Sequence, residues 1–229
     1  MMIEFVSCTQ RSRDDFWENS ALGISVRRIG SDPRAFGYIA YENQLGLPKI
    51  YNQRINASEN ADILVFLHDD LWLDDYFFVD RILEGVKHFD IFGLAGSNRR
   101  SPHQMSWAFD ADLGGGNFRW KQIDTLSGTV AHGEKPFGEI SRFGLAPKEV
   151  ELLDGLFIAA SKAKLLEKGI RFDERFDFHF YDLDFCRTAH SAGLRLGTWP
   201  IAVTHQSGGR MGTPQWQDQY RKYIEKWGE

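Results

Sequence analysis

The fold is decided by one stretch of the sequence, Asp62-Ile63-Leu64-Val65-Phe66-Leu67-His68-Asp69-Asp70. Its apolar run has the length typical of a buried strand, and two adjacent carboxylates follow directly. Because carboxylates at the mouth of a buried strand lose hydration, they require a positive partner, and a hard divalent cation prefers oxygen ligands. The stretch therefore predicts a metal site at the carboxyl end of a strand, where open α/β sheets bind ligands. Acidic residues that only cap a turn are the alternative.

Strand-like runs alternate with helix-like spacings along most of the chain. We predict strands at residues 3–8, 24–29, 36–41, 63–67, 91–95, 151–159, 194–198 and 201–204. We predict helices at residues 47–58, 76–89, 161–168, 180–192 and 215–227. This alternation is typical of an α/β fold, with a mostly parallel sheet flanked by helices. We expect a single domain over residues 1–229 that contains a variable, irregular segment at 98–150.

The composition argues against several classes of protein. The chain has 229 residues, 42% of them hydrophobic, and a net charge of −5. A negative chain is not expected to bind nucleic acid, which requires a basic face. No apolar run approaches the roughly 20 residues that span a bilayer. Cys8 and Cys186 are too few for a disulfide framework, so we expect both to be reduced and buried, as in a cytoplasmic protein.

Two further segments carry candidate chemistry. Asp182 and Asp184 lie two residues apart at the start of a predicted helix, so they occupy different faces of it. Both could point into a cleft there, or they could simply cap the helix. His205 follows a predicted strand, and Arg210 follows a glycine pair in a loop that could close over a diphosphate. A purely structural role is the alternative for His205.

Six short motifs follow one another in the chain: Asn43-Gln44-Leu45-Gly46, Asp62–Asp70, Asp154-Gly155-Leu156-Phe157, Gly169-Ile170-Arg171-Phe172-Asp173-Glu174, Tyr181-Asp182-Leu183-Asp184 and Thr204-His205. With this ordered set, over roughly residues 43–205, the chain resembles the inverting glycosyltransferases of family 2, which have the GT-A fold. Each motif is short, whereas the ordered set is specific. The chain departs from the family's pattern in having His68 for the first Asp of Asp-x-Asp, Tyr181 for Glu, and Cys8-Thr9-Gln10-Arg11 for Pro-Thr-Tyr-Asn.

The resemblance implies transfer of a sugar, with inversion, from a nucleotide-sugar donor to a hydroxyl of a carbohydrate or lipid-linked acceptor. Such a reaction would serve glycan or surface polysaccharide synthesis. Asp70 and His205 would hold a divalent cation, Mn²⁺ or Mg²⁺, and Asp182 would be the general base. Contacts to the nucleotide or sugar would come from Thr9, Gln10, Lys49, Asp69, Asp154 and Arg210.

The same resemblance divides the chain into functional parts. Residues 1–96 would form the nucleotide-binding half and residues 97–210 the acceptor-side half, followed by an amphipathic helix within 211–229. Two other functions stay open: a non-catalytic GT-A-fold module that binds a sugar or nucleotide, and a metal-dependent phosphohydrolase or nucleotidyltransferase. His68 and Tyr181, in place of acidic residues, support the first of these alternatives.

One face of the closing helix is aromatic, with Trp216, Tyr220, Tyr223 and Trp227 at helical spacing. The helix at 215–227 would dock on the domain or on a second copy of the chain. Alternatively its Trp and Tyr side chains would lie at a membrane boundary, with neighbouring basic residues against anionic headgroups. In the second case the protein would sit at the inner face of the cytoplasmic membrane.

Overall fold

The structure is a computed structural model that describes residues 1–57, 61–114, 117–208 and 211–228. Its strands are β1 (Ile3–Cys8), β2 (Ala35–Ala40), β3 (Ile63–Leu67), β4 (Leu71–Leu73), β5 (Ile91–Gly93), β6 (Ala95–Ser97), β7 (Phe109–Gly114), β8 (Asn117–Trp120), β9 (Leu126–His132), β10 (Glu139–Gly144), β11 (Lys148–Glu149), β12 (Leu152–Leu153), β13 (Phe157–Ser161), β14 (Leu196–Thr198) and β15 (Val203–His205). Its helices are α1 (Arg13–Asn19), α2 (Ala21–Ile29), α3 (Leu47–Asn56), α4 (Phe78–Gly85), α5 (Lys162–Glu167), α6 (Tyr181–Ser191) and α7 (Pro214–Trp227).

The main sheet has the strand order β11-β14-β5-β13-β3-β1-β2. The run that decided the fold forms β3, which lies between β13 and β1 and is buried along its whole length. β1 pairs in parallel with β2 and β3, whereas β13 runs antiparallel to both of its neighbours. The predicted α/β sheet flanked by helices is confirmed, and β13, together with β11 at the edge, makes it a mixed sheet. An antiparallel strand needs no crossover helix, which fits its position after an irregular segment.

A second sheet, in the order β12-β6-β9-β15-β4, lies at the carboxyl end of β3. The chain leaves β3 at His68, turns through Asp69 and Asp70, and enters β4 directly. β15 pairs antiparallel with β4, and His205 lies opposite Leu71 in this pairing. The backbone amide of Gln206 also donates to the carbonyl of Asp70 at 3.0 Å. The register of two three-residue strands therefore brings His205 beside Asp70.

One predicted strand is wrong, because residues 24–29 belong to the helix α2. Ser20 caps this helix, and its hydroxyl accepts a hydrogen bond from the amide of Gly23 at 2.9 Å. Leu22 and Ser25, three residues apart, lie on the buried face, whereas Arg27 and Arg28 fall in the last turn. The alternation of apolar and polar residues here fits a helix as well as a strand, and the Ser20 cap decides between them.

Two predicted strands are each divided, because their halves join different sheets. Residues 91–95 form β5 in the main sheet and the start of β6 in the second. Residues 151–159 form β12 in the second sheet and the start of β13 in the main one. The segment 98–150 contains the hairpins β7–β8 and β9–β10.

The closing helix α7 packs on the rest of the chain through its aromatic face. Trp216 and Tyr223 are buried and contact Phe180, with ring centroids 5.2 and 5.3 Å away. Near its end, Lys226 Nζ lies 2.6 Å from Asp184 Oδ1 and 2.7 Å from Asp173 Oδ2. A membrane or a second copy would therefore have to use another face of α7. Within the described ranges, no helix has the length and apolarity to cross a bilayer.

The two cysteines are free, as expected. Cys186 is buried, whereas Cys8 is only partly buried and so corrects the expectation that both are enclosed. Burial, followed by the charge of Asp69, raises the pKa of Cys8 to about 12. The Cys8 thiol therefore stays protonated at neutral pH, which makes it a poor nucleophile.

Candidate active site

Three side chains that could bind a metal ion converge where the two sheets meet. His205 Nε2 lies 3.3 Å from Asp70 Oδ1, and His68 Nδ1 lies 4.0 Å from the same oxygen. One potential ligand atom from each of His68, Asp70 and His205 lies within 4.8 Å of the others. Asp70 and His205 were predicted as ligands and are brought together as expected. We call these three residues the His-Asp-His group.

His68 is the candidate ligand that the sequence did not reveal. It stands where the family pattern has an acidic residue, so the pattern does not predict it as a ligand. Its position next to Asp69-Asp70 is the signal in the sequence that points to it. Tyr181 donates its hydroxyl proton to the carbonyl of Gly155 at 2.9 Å and lies 3.0 Å from His68 Nε2. Because a tyrosine has only one hydroxyl proton, it must accept from His68 Nε2–H. His68 Nδ1 is then left with a lone pair for a metal ion.

The electrostatics of the His-Asp-His group suit a cation. Burial alone would raise the pKa of Asp70, but His205, His68 and Ser207 outweigh it and lower the pKa to about 2. Burial lowers the pKa of His68, so its imidazole is neutral at neutral pH, as a ligand must be. Asp70 Oδ1 is buried and accepts no well-aligned hydrogen bond from the described residues. A cation bound between Asp70 Oδ1 and the two imidazoles would satisfy this oxygen better than its present contacts do.

Asp182, the predicted base, lies at the first turn of α6 and close to this group. Its carboxylate accepts hydrogen bonds from the amides of Gly155 at 3.0 Å and Leu183 at 2.9 Å. Burial, reinforced by the charge of Asp154, raises the pKa of Asp182 to about 7. The side chain of Tyr181 connects the two parts of the site, because it contacts both His68 and the carbonyl of Gly155.

Gly155 allows this close approach. A Cβ atom at position 155 would overlap the hydroxyl of Tyr181 and would lie 3.0 Å from Cβ of Asp182. Asp154, beside it, accepts hydrogen bonds from the indole of Trp107 at 2.6 Å and from the amide of Leu156 at 2.9 Å. The predicted sugar contact Asp154 therefore lies between the base and a tryptophan of the segment 98–150.

The other predicted contacts to the nucleotide or sugar do not all lie near the His-Asp-His group. Thr9 Oγ1 donates to Asp69 Oδ2 at 2.6 Å, so the ends of β1 and β3 meet next to Asp70. Gln10 is exposed beside Thr9. Lys49 lines a separate surface cavity of about 330 Å³, together with Glu174 and Asp177. Arg210 lies outside the described residues.

Comparison with known proteins identifies the family and the fold of the chain. The sequence profile described as "Glycosyltransferase like family" matches residues 35–223. No curated protein sequence matches the chain. The fold is similar to that of S. aureus TarS residues 1–349, with a TM-score of 0.53 and 13% identity over 98% of this chain and 64% of that one. It is also similar to GalNAc-T7, solved with UDP, GalNAc and Mn²⁺, with a TM-score of 0.53 and 11% identity over 98% of this chain and 48% of that one.

Both solved structures are longer than this chain, which spans less than two thirds of either. At such low identity these structures show the fold alone, whereas the match to the family profile shows that the sequences are related. The profile covers most of the chain, including β3, the turn at Asp69-Asp70, α6 and β15. The resemblance seen in the sequence is therefore confirmed: this chain, with a GT-A fold, belongs to the glycosyltransferase-like family.

Proposed function

We propose that the protein is an inverting, metal-dependent glycosyltransferase that moves a sugar from a nucleotide-sugar donor to an acceptor hydroxyl. One observation carries the proposal: Asp182, a carboxylate with a raised pKa, lies across Tyr181 from the His-Asp-His group. A donor diphosphate at that group would leave the sugar between the cation and the carboxylate. The acceptor would then approach from the side of Asp182, which is the geometry of inversion.

Asp182 suits the role of general base because of its environment. A base works best when its pKa lies near the working pH, and burial with Asp154 raises the pKa of Asp182 to about 7. The carboxylate would take the proton of the acceptor hydroxyl as the new glycosidic bond forms. The amides of Gly155 and Leu183 hold the carboxylate in place through the reaction.

The His-Asp-His group supplies one carboxylate and two imidazoles. A divalent cation bound there would offset the negative charge that develops on the diphosphate leaving group. Imidazole ligands favour transition ions over Mg²⁺, which prefers oxygen ligands, so we propose Mn²⁺ rather than Mg²⁺. The comparison structure of GalNAc-T7 contains UDP, GalNAc and Mn²⁺, which supports this choice.

The remaining predicted contacts belong to the same proposal. Thr9, with Asp69, would face the nucleoside or sugar at the end of β1, and Gln10 lies next to it. Lys49, on α3, and Arg210 would neutralise the phosphates of the donor. Residues 1–96 would form the nucleotide-binding half and residues 97–210 the acceptor-side half. The reaction would serve glycan or surface polysaccharide synthesis, in the cytoplasm or at the inner face of the membrane.

Calorimetric titration with Mn²⁺ and a set of UDP-, GDP-, dTDP- and CMP-sugars tests the proposal. We expect one donor class to bind only when Mn²⁺ is present, and the anomeric configuration of the transferred sugar to be opposite to that in the donor. Retention of configuration would contradict the role of Asp182. Binding without turnover over a broad acceptor panel would favour a non-catalytic module. Cleavage of phosphate esters that lack a sugar would favour a phosphohydrolase.

A further inference from the structure

A row of aromatic rings leads away from the candidate active site. It begins at Trp107, whose indole nitrogen donates to Asp154 Oδ2 at 2.6 Å. The ring of Phe143 packs edge-on against Trp107, with centroids 4.9 Å apart and planes at 89°. Phe143 is in turn nearly parallel to Trp120, at 6.0 Å and 23°. The row therefore connects a carboxylate next to Asp182 with the hairpin β7–β8.

On the hairpin the row continues through two more rings. Phe109 lies 4.5 Å from Trp120 and 5.5 Å from Phe118, measured between ring centroids. We call Trp107, Phe143, Trp120, Phe109 and Phe118 the aromatic row. Exposure is greatest at its middle member, because Trp120 is 54% exposed, whereas Trp107 is 8% exposed and Phe109 and Phe118 are half-buried. An exposed tryptophan that continues a path from a catalytic site is a candidate contact for a ligand.

The base of the hairpin is held firmly. Lys121, next to Trp120, is buried, and its ammonium group donates to the carbonyl of Arg99 at 2.6 Å and to Gln104 Oε1 at 3.2 Å. The backbone amide of Lys121 also donates to the carbonyl of Ala108 at 2.9 Å. These bonds fix Trp120 relative to Trp107, and a rigid scaffold of this kind is what a binding surface requires.

The hairpin also carries charge close to its aromatic rings. Arg119 and Asp110 form an ion pair of 2.7 Å, and their side chains are 62% and 29% exposed. A sugar chain offers both kinds of surface, since its rings have C–H faces and its edges carry hydroxyl groups. The C–H faces suit the negative faces of aromatic rings, and the hydroxyl edges suit charged side chains. A lipid tail would match only the rings.

We propose that the aromatic row binds the acceptor, and that this acceptor is an oligosaccharide or polysaccharide chain. Its reacting end would lie at Asp182, and sugar rings further along would stack on Phe143 and on the exposed face of Trp120. The proposal rests on the proposed function for the direction of the chain, because transfer at Asp182 defines which end reacts. Binding itself depends only on the aromatic row.

A glycan array, followed by calorimetry with the tightest-binding glycan, tests the proposal. We expect Trp120→Ala to weaken that binding about tenfold or more, while Trp120→Phe, which keeps a ring, retains most of the affinity. Phe77→Ala is the matched control, because Phe77 is a 67% exposed ring outside the aromatic row. It should bind as the wild type does. An array without bound glycans, or unchanged affinity in Trp120→Ala at unchanged melting temperature, would overturn the proposal.

Two further measurements separate this inference from the proposed function. Binding of the donor with Mn²⁺ should be the same in Trp120→Ala as in the wild type. If no donor binds the wild type but glycan binding still depends on Trp120, the proposed function fails and the aromatic row stands. If Trp120→Ala instead loses association with phosphatidylglycerol vesicles and leaves glycan binding intact, the surface binds lipid and the inference is wrong.

Discussion

Asp182 and Asp184 lie two residues apart on α6, and their surroundings are opposite. Asp182 faces the candidate active site, where Asp154 adds to the effect of burial and its pKa rises to about 7. Asp184 faces α7, where burial also raises its pKa, but the ammonium of Lys226 and the indole of Trp227 oppose that rise. We call Asp173, Asp184, Lys226 and Trp227 the docking cluster.

The difference between these surroundings shows that the first turn of α6 contributes both to the candidate active site and to the docking of α7. In the docking cluster a cation from the chain itself contacts the carboxylates, so the charges hold α7 in place. At the candidate active site, Asp70 Oδ1 is buried beside the imidazoles of His205 and His68, and Asp182 lies beside another carboxylate. Buried carboxylates with strongly shifted pKa values are typical of sites that bind or react.

The largest expected effect separates the two carboxylates directly. Asp182→Asn should lower turnover by roughly 10²-fold or more and leave binding of the donor with Mn²⁺ intact, because an amide cannot accept the acceptor proton. Asp184→Asn is the matched control and should keep its turnover per folded molecule. Steady-state kinetics with both variants measures this difference, and equal losses in the two would remove the distinction between them.

The second effect concerns the cation. His205→Ala should weaken Mn²⁺ binding by about 100-fold, since it removes one of the proposed ligands. His132→Ala is the control, because its ring lies 6.1 Å from that of His205 but its Nδ1 contacts Ser141 at 3.2 Å. Calorimetric titration with Mn²⁺ should show unchanged affinity in the control. Unchanged affinity in His205→Ala would rule out His205 as a ligand.

The third effect tests the docking cluster. Lys226→Met removes the ammonium group 2.6 Å from Asp184, whose side chain is 1% exposed. Loss of one partner of a buried ion pair is strongly destabilising, and because Lys226 is itself partly exposed we expect about 2 kcal/mol. Urea denaturation measures the change. Turnover per folded molecule should not change, and a loss of turnover greater than the loss of folded protein would show that the cluster serves catalysis as well.

A smaller effect on Mn²⁺ affinity is expected from Tyr181, which lies between the His-Asp-His group and Asp182. Tyr181→Phe removes the hydroxyl that accepts from His68 Nε2, so His68 would no longer be held with Nδ1 free for the metal ion. We expect Mn²⁺ affinity to fall by about tenfold. Tyr220→Phe, which loses a hydroxyl bonded to the carbonyl of His103, serves as the control. Equal affinities in the two variants would leave Tyr181 without a part in metal binding.

The smallest effect is a shift in the pH profile. Only the ionised form of Asp182 can accept a proton, so turnover should fall below pH about 7 and level off above it. Asp154→Asn removes a charge that raises this pKa, so the acid limb should move to lower pH. A shift of the acid limb to lower pH would assign the limb to Asp182, because the pKa of a base far from Asp154 would not change. A limb that stays in place would assign the titration to another group.

Much of this arrangement could be predicted from local sequence. The buried strand before Asp69-Asp70 and the opposite faces of Asp182 and Asp184 follow from short-range periodicity, and both are found in the structure. The pattern of α2 does not predict a helix by itself, because its alternation fits two periods and only the cap at Ser20 distinguishes them. The strand breaks near Leu94 and Asp154 were missed because nothing local shows that the chain changes sheets.

Local sequence patterns do not predict contacts between segments that are far apart in the chain. His205 reaches Asp70 through the pairing of β15 with β4, and Lys226 reaches Asp184 from the end of α7. A motif order can imply such proximity, as the family resemblance did for Asp70 and His205. The motif order does not identify His68 as a third candidate ligand, because a histidine at this position departs from the acidic pattern of the family.

The step from β3 to β4 has a mechanical consequence. His68 directly follows β3 of the main sheet and His205 ends β15 of the second sheet, so a cation shared by them would act as a crosslink between the two sheets. With the cation bound, the junction of the two sheets would be more rigid, and the short pairing of β4 with β15 would open less often. Amide exchange at Gln206, whose N–H bonds the carbonyl of Asp70, would slow on addition of Mn²⁺.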